Sequence, residues 1–342
     1  MPISMNKRPE PIDLLIEARW IATVDHDAVL KNHAVAIKGG RILNVLPTPE
    51  AHQRYQADTV HVLEKHILIP GLINLHTHAA MSLMRGLADD IPLMTWLEQH
   101  IWPTEAAHVS EHFVYDGTRL ACTEMIRGGI TCFNDMYFFP QAAAEAALAS
   151  GMRAAIGLIT VDFPSNYAAD AEDYLAKGLA VRDQFLGQSL LSFCLAPHAP
   201  YTVSSPLFRR VAEFARADQL QVAVHVAESA AESRFVSEGE GAFADGLRAR
   251  GIAVAAQARS PIALLDASGL LAERPLLIHA IQVDGDDVAR VADCGARVVH
   301  CPISNLKLAQ GTFMRWTGQY ELLEQFLENG VLPQWLKQLL VS

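Results

Sequence analysis

The segment PGLINLHTH sets His76 and His78 two residues apart at the end of an apolar run. Alternation along a strand turns both imidazoles to one face, so two nitrogen donors can converge on one point. His225 closes the run LQVAVHV and supplies a third nitrogen, and Glu228 follows three residues later, where the strand should turn into its loop. Taken singly, each of these histidines would more often be an ordinary core residue. Together they form a set of neutral imidazoles, which suits zinc or iron better than magnesium or calcium. A divalent ion held this way brings the pKa of a water toward neutrality, which is the chemistry of hydrolysis.

Such residues must be positioned by repeated strands. From Ile67 onward, short β-like runs alternate with stretches of helical periodicity: ILIPGLINLH, TCFNDM, RAAIGLIT, LLSFCLAPH, LQVAVHVAE, PLLIHAIQ and ARVVHC. HFVYDGTRLACTEMIRGG, QAAAEAALASG and LFRRVAEFARADQL lie among them, and the first two end in the Gly expected beyond a helix. Repeated βα units predict a parallel α/β barrel, whose chemistry lies at the C-terminal ends of its strands. His76 and His78 close the first run, Asp135 the second, His198 the fourth, His225 the fifth, His279 the sixth and His300 the seventh. Residues 13 to 64 read differently. DLLIEARWIATV, AVAIKGGRILNVL and TVHVLE predict a small antiparallel β unit, with Gly39-Gly40 as a turn.

Composition narrows the function. A chain of 342 residues that is 51% hydrophobic and 19% charged can bury a sizeable core. A net charge of −11 argues against a nucleic-acid surface, which needs clustered Lys and Arg. No apolar run reaches the ~20 residues of a membrane span, and the N-terminus lacks the apolar core of a signal peptide, so the expected location is the cytoplasm. Five cysteines without a CxxC pair read as reduced thiols.

The stretch PGLINLHTHAAMSLMRGLADDIPLMTWLEQHIWPTE, with GGITCFNDMYFFP, LAPHAPYTVS, HVAES and HCPISNLKLA in this order, resembles the amidohydrolase superfamily. Within it the similarity is to the 5-methylthioadenosine/S-adenosylhomocysteine deaminases, over roughly residues 10 to 311. The resemblance implies a (β/α)8-type TIM barrel over 67–311 and a small N-terminal β-sandwich part over 1–66. It implies one zinc ion per chain, with iron as the alternative, bound by His76, His78 and His225. Glu228 matches the proton-transferring acid, and His279 matches a histidine that orients the attacking water. Glu105 matches the residue that grips the ribose hydroxyls, while Arg153 and His198 match contacts around the nucleoside. The implied reaction is hydrolytic deamination of a 6-aminopurine nucleoside: 5′-methylthioadenosine, S-adenosylhomocysteine or adenosine. Another heterocycle, such as a guanine-type base, an aminofutalosine-like nucleoside or a triazine, is the alternative substrate. The fourth run contains no lysine, which favours one metal over two, and the resemblance also implies a homo-oligomer.

The sequence departs from the family pattern at its end. An eighth strand should finish in a Gly-Thr-Asp-Gly-like motif whose aspartate binds the metal. After Gly311 the chain reads TFMRWTGQYELLEQFLENGVLPQWLKQLLVS, with no aspartate. ELLEQFLENGV resembles the helix before that strand, and residues 312–342 read as an atypical segment. The expectation is a barrel short of its last strand, in a chain that binds metal but deaminates far more slowly than one with a complete eighth strand; the alternative is a truncated metal-binding chain with little or no activity.

Overall fold

A computed structural model describes residues 8–24, 29–88, 91, 93–308 and 310. Its contacts divide the chain into two compact units, the first ending at Gly71 and the second beginning at Leu72. The atypical segment 312–342, with the expected helix ELLEQFLENGV and the place of the eighth strand, lies outside the described residues.

The first unit is one four-stranded sheet. Its strands are β1 (Glu10–Ala22), β2 (Val29–Lys38), β3 (Arg41–Pro47) and β4 (Tyr55–Leu68), in the order β3-β2-β1-β4. The expected antiparallel pairing is present for β1 with β2 and β2 with β3. β4 adds a parallel partner to β1, reached through the helix Thr48–Arg54, because a parallel return needs a crossover and not a tight turn. Gly39 and Gly40 both take positive φ, at 57° and 72°, as a two-residue hairpin turn demands. Ile12, Leu15, Ala34, Ala36 and Leu46 form the core of this unit.

In the second unit the seven runs become seven parallel strands: β5 (Leu72–Thr77), β6 (Ile130–Tyr137), β7 (Arg153–Thr160), β8 (Leu191–Pro197), β9 (Gln221–Val226), β10 (Leu276–His279) and β11 (Arg297–Val299). They lie side by side in chain order, the α/β arrangement of a barrel. Among the described residues no eighth strand joins β11 to β5, which are therefore the two edges of the sheet. Edge position shows in β5, where Leu72, Ile73 and Leu75 are exposed. In the middle of the sheet, every residue of β9 after Gln221 is buried, as expected of a parallel strand covered on both faces.

Local signals start and stop the intervening helices. Ser110 accepts from the Phe113 amide to cap the helix Glu111–Arg127, and Asp284 with Asp287 forms a reciprocal capping box at Gly285–Cys294. The helix Ser205–Asp218 buries Leu207, Phe208, Val211, Ala212 and Ala215, a spacing that keeps one stripe against the sheet. Close approach sets one glycine: a Cβ at Gly117 would collide with the backbone of Ala80, so the absent side chain lets the helix Glu111–Arg127 lie on the turn that follows His78. Among the described residues no helix is long and apolar enough to cross a membrane.

Candidate active site

Because all seven strands run the same way, their C-terminal ends share one rim, and the strand-closing residues meet there. His76 is the fifth residue of β5, and His78 follows the strand directly. One nitrogen from each of His76, His78 and His225 lies within 4.8 Å of the others, and His76 Nε2 stands 3.1 Å from His225 Nε2. Burial holds His76 and His225 far below the ordinary histidine pKa, and neighbouring imidazoles push them further down. His78 is lowered by burial, partly offset by its bond to the Met136 carbonyl. All three rings are therefore neutral at physiological pH, the form that binds a metal. The donor set fits a divalent ion. His76 Nδ1, on the other side of the ring from the nitrogen that faces His225, is buried with no partner among the described residues.

Backbone and side-chain acceptors aim these rings. Nδ1 of His78 bonds the Met136 carbonyl at 2.5 Å, and Nδ1 of His225 bonds the His198 carbonyl at 2.9 Å. Asp135, at the end of β6, accepts from the Ala79 amide at 2.7 Å and so pins the turn that carries His78. Its carboxyl is raised to about 7 by burial.

Glu228 lies just beyond β9, 5% exposed, with Oε1 3.4 Å from His279 Nε2. Burial alone raises it to about 7. His279 is lowered to about 4 by burial and is held through Nδ1 by Asn305 Oδ1 at 2.7 Å. The loop under Glu228 is fixed by a residue whose signal was legible but unread. In Ser229-Ala-Ala-Glu232, the N-cap serine bonds the Glu232 amide at 3.1 Å. The Glu232 carboxylate reaches back to the amides of Ala227 and Glu228 at 2.7 and 2.9 Å. The Ser-x-x-Glu spacing is a helix-start signature, so Glu232 could have been found from it.

A cavity of about 530 Å³ is lined in part by His78 and His198. Its walls are largely apolar, including Met94, Trp96, Trp102, Phe163 and Phe243, with a few polar groups set among them. Glu105 is one of these, on the helix Trp102–His108, where its Oε1 accepts from the Tyr137 hydroxyl at 2.7 Å. Burial raises Glu105 to about 7, and the Tyr137 bond opposes this. His198 also faces the cavity, lowered to about 3 by burial and tied through Nδ1 to Thr202 Oγ1 at 2.8 Å.

Arg153 is a correction. It is the first residue of β7, exposed, and its guanidinium reaches the Ser189 carbonyl at 3.4 Å. An eight-residue strand at ~3.3 Å per residue puts it roughly 23 Å from the rim where the histidines gather. Strand polarity excludes it from the site, although its run was identified as a strand. The arginine that does line the cavity, among the described residues, is Arg250, whose guanidinium carbon stands 5.6 Å from the Phe163 ring centre.

The histidine-ringed strand ends agree with a family match: the model of the amidohydrolase family matches residues 67–317. The chain belongs to the amidohydrolase family. Amidohydrolases depend on a metal, and the three-histidine cluster is where this one can hold it. Similar proteins include the 5-methylthioadenosine/S-adenosylhomocysteine deaminase of Saccharophagus degradans, 43% identical over 88% of this chain and 64% of that protein. A solved structure of an adenosine deaminase from Xanthomonas campestris with bound zinc is 42% identical, with a TM-score of 0.79 over 89% of this chain and 66% of that one. Guanine deaminase from C. acetobutylicum, 18% identical with a TM-score of 0.72 over 93% of this chain and 72% of that one, shares the fold. This amidohydrolase chain thus spans about 64% of the length of the deaminase it matches from S. degradans.

Proposed function

We propose that this chain carries the catalytic barrel of a hydrolase that deaminates a 6-aminopurine nucleoside, with 5′-methylthioadenosine, S-adenosylhomocysteine or adenosine as substrate. One observation carries the reading: the triad His76, His78 and His225, the buried Glu228–His279 pair and an apolar cavity containing Glu105 occur together at one strand-end rim. The similarity to the two nucleoside deaminases supports the substrate class.

Zinc is the metal proposed, bound by His76, His78 and His225, in keeping with the zinc of the Xanthomonas campestris structure. When bound there, it supplies water activation near neutral pH. The chain's own groups do the rest. Carbon 6 of an aminopurine is a poor electrophile until the adjacent ring nitrogen is protonated. Glu228, kept partly protonated near pH 7 by burial, can donate that proton; its carboxylate then takes one from the attacking water, passes it to the amine as the C6–N bond breaks and ammonia leaves, and recovers a proton from the C6 hydroxyl as the carbonyl forms. His279, with Nε2 facing Glu228, orients the water. Glu105 accepts hydrogen bonds from the ribose hydroxyls beside Tyr137, and His198 borders the nucleoside. Ammonia release from a zinc-loaded sample given each of the three nucleosides tests the reading. Release from none of them removes it, and release from guanine or a triazine alone replaces the nucleoside with a free base.

A further inference from the structure

Four histidines at the rim are tethered outward through Nδ1. For His78 and His225 the acceptors are backbone carbonyls, which only accept, so both rings carry hydrogen on Nδ1 and leave Nε2 bare. His198 follows the same rule. Its partner, the Thr202 hydroxyl, donates onward to the Ala199 carbonyl at 3.2 Å and so accepts from the ring. His279 is the fourth, with Nδ1 2.7 Å from Asn305 Oδ1 and both residues buried. An asparagine can present either oxygen or NH2, so this tether alone has two readings. Asn305 belongs to the SNLKLA motif, to which the proposed reaction gives no role.

We propose that Asn305 is a positioning residue: its side-chain oxygen accepts from Nδ1 of His279, fixes the Nδ1–H tautomer, and leaves Nε2 as a lone pair 3.4 Å from Glu228 Oε1. The inference rests on the roles given above to Glu228 and His279. With Nε2 bare, the ring accepts a hydrogen from a water or from the Glu228 carboxyl. With the amide reversed, Asn305 donates to Nδ1, the ring hydrogen moves to Nε2, and His279 faces Glu228 as a donor. The ring is neutral in both arrangements, and what changes is the direction in which it can take a proton. Two features mark the position as constrained. His279 and Ala280 sit at φ 74° and 50°, a left-handed backbone that non-glycine residues rarely adopt. Asn305 Nδ2 is buried with no partner among the described residues, a donor left unpaired while the oxygen is used. Reversal would pair that NH2 and orphan the oxygen instead, so the amide orientation has to be read directly.

The experiment is ¹⁵N NMR of the zinc-loaded, full 342-residue chain with labelled histidine, the His279 signals being assigned by their loss in His279→Gln. In the unsubstituted protein at pH 7.5, Nδ1 of His279 is expected at a pyrrole-type shift and Nε2 at a pyridine-type shift. Asn305→Asp keeps an acceptor and retains that pattern. Asn305→Leu removes it and moves hydrogen onto Nε2, and kcat for methylthioadenosine falls by about tenfold or more while KM changes little. A protonated Nε2 in the unsubstituted protein overturns the proposal, as does an unchanged tautomer in Asn305→Leu. Should Asn305→Leu fail to fold, the spectra of the unsubstituted and Asn305→Asp proteins still decide it. Unchanged turnover in His279→Gln removes the catalytic reading of His279 and leaves the tautomer to be judged by the spectra alone.

Discussion

Glu105→Gln keeps an oxygen for the Tyr137 hydroxyl to donate to and removes the ionisable group, so it isolates what burying this carboxylate costs. In the fold its pKa is raised from 4.5 to about 7, chiefly by burial. Between those values the native state holds a proton that the unfolded chain has released. Stability therefore falls as pH rises through that window, and the loss is complete above about 7. A displacement of that size corresponds to about 3 kcal/mol at 1.36 kcal/mol per pKa unit, of which about 2.5 kcal/mol separates pH 5 from pH 8.5. Glutamine has no such window. Urea unfolding of both proteins, zinc-loaded, at pH 5 and pH 8.5 measures the double difference, in which every other titrating group cancels. Glu105→Gln should gain about 2 kcal/mol or more over the parent on going from pH 5 to pH 8.5. An equal gap at the two pH values would refute the burial argument and return Glu105 to the solvated carboxylates. The same variant should weaken methylthioadenosine binding, because an amide is a poorer acceptor for ribose hydroxyls than a carboxylate.

Four other outcomes are expected. Glu228→Gln keeps the size of the side chain but cannot deliver the proton, so turnover should drop by ~10²-fold or more with metal content near one per chain; unchanged turnover moves proton transfer elsewhere. His225→Ala should abolish zinc retention through desalting, measured by metal analysis, and a full complement of zinc in that variant contradicts the three-histidine site. Gly117→Ala drives a methyl group into the Ala80 backbone and should cost about 1–3 kcal/mol in unfolding free energy; a neutral effect means that the helix and turn can separate freely. Arg153→Ala should leave KM for every nucleoside within twofold, since the residue stands at the other end of β7, and a large rise in KM undoes the correction.

The seven strands and the rim they build were legible in the chain itself. A strand's period of two and the polar residue that closes an apolar run are local facts, and parallel order then brings His76, His78, Asp135, His198, His225 and His279 to one face. The hairpin at Gly39-Gly40 was legible for the same reason, since two adjacent positive φ values need residues of that kind. What each side chain touches was not local. Glu105 meets Tyr137 across 32 residues of sequence, and His279 meets Asn305 across 26. No pattern along the chain announces either pair. Matching the family motif placed Arg153 at the nucleoside, and only the direction of β7 in the sheet removed it. Charge state belongs to the same class. In sequence Glu105, Glu228 and Glu232 are ordinary acids, and the fold raises each of them because it buries them. Local periodicity determined where the reactive groups stand along the chain; the tertiary structure decided their partners and their protons, because burial and long-range contact exist only once the strands are assembled.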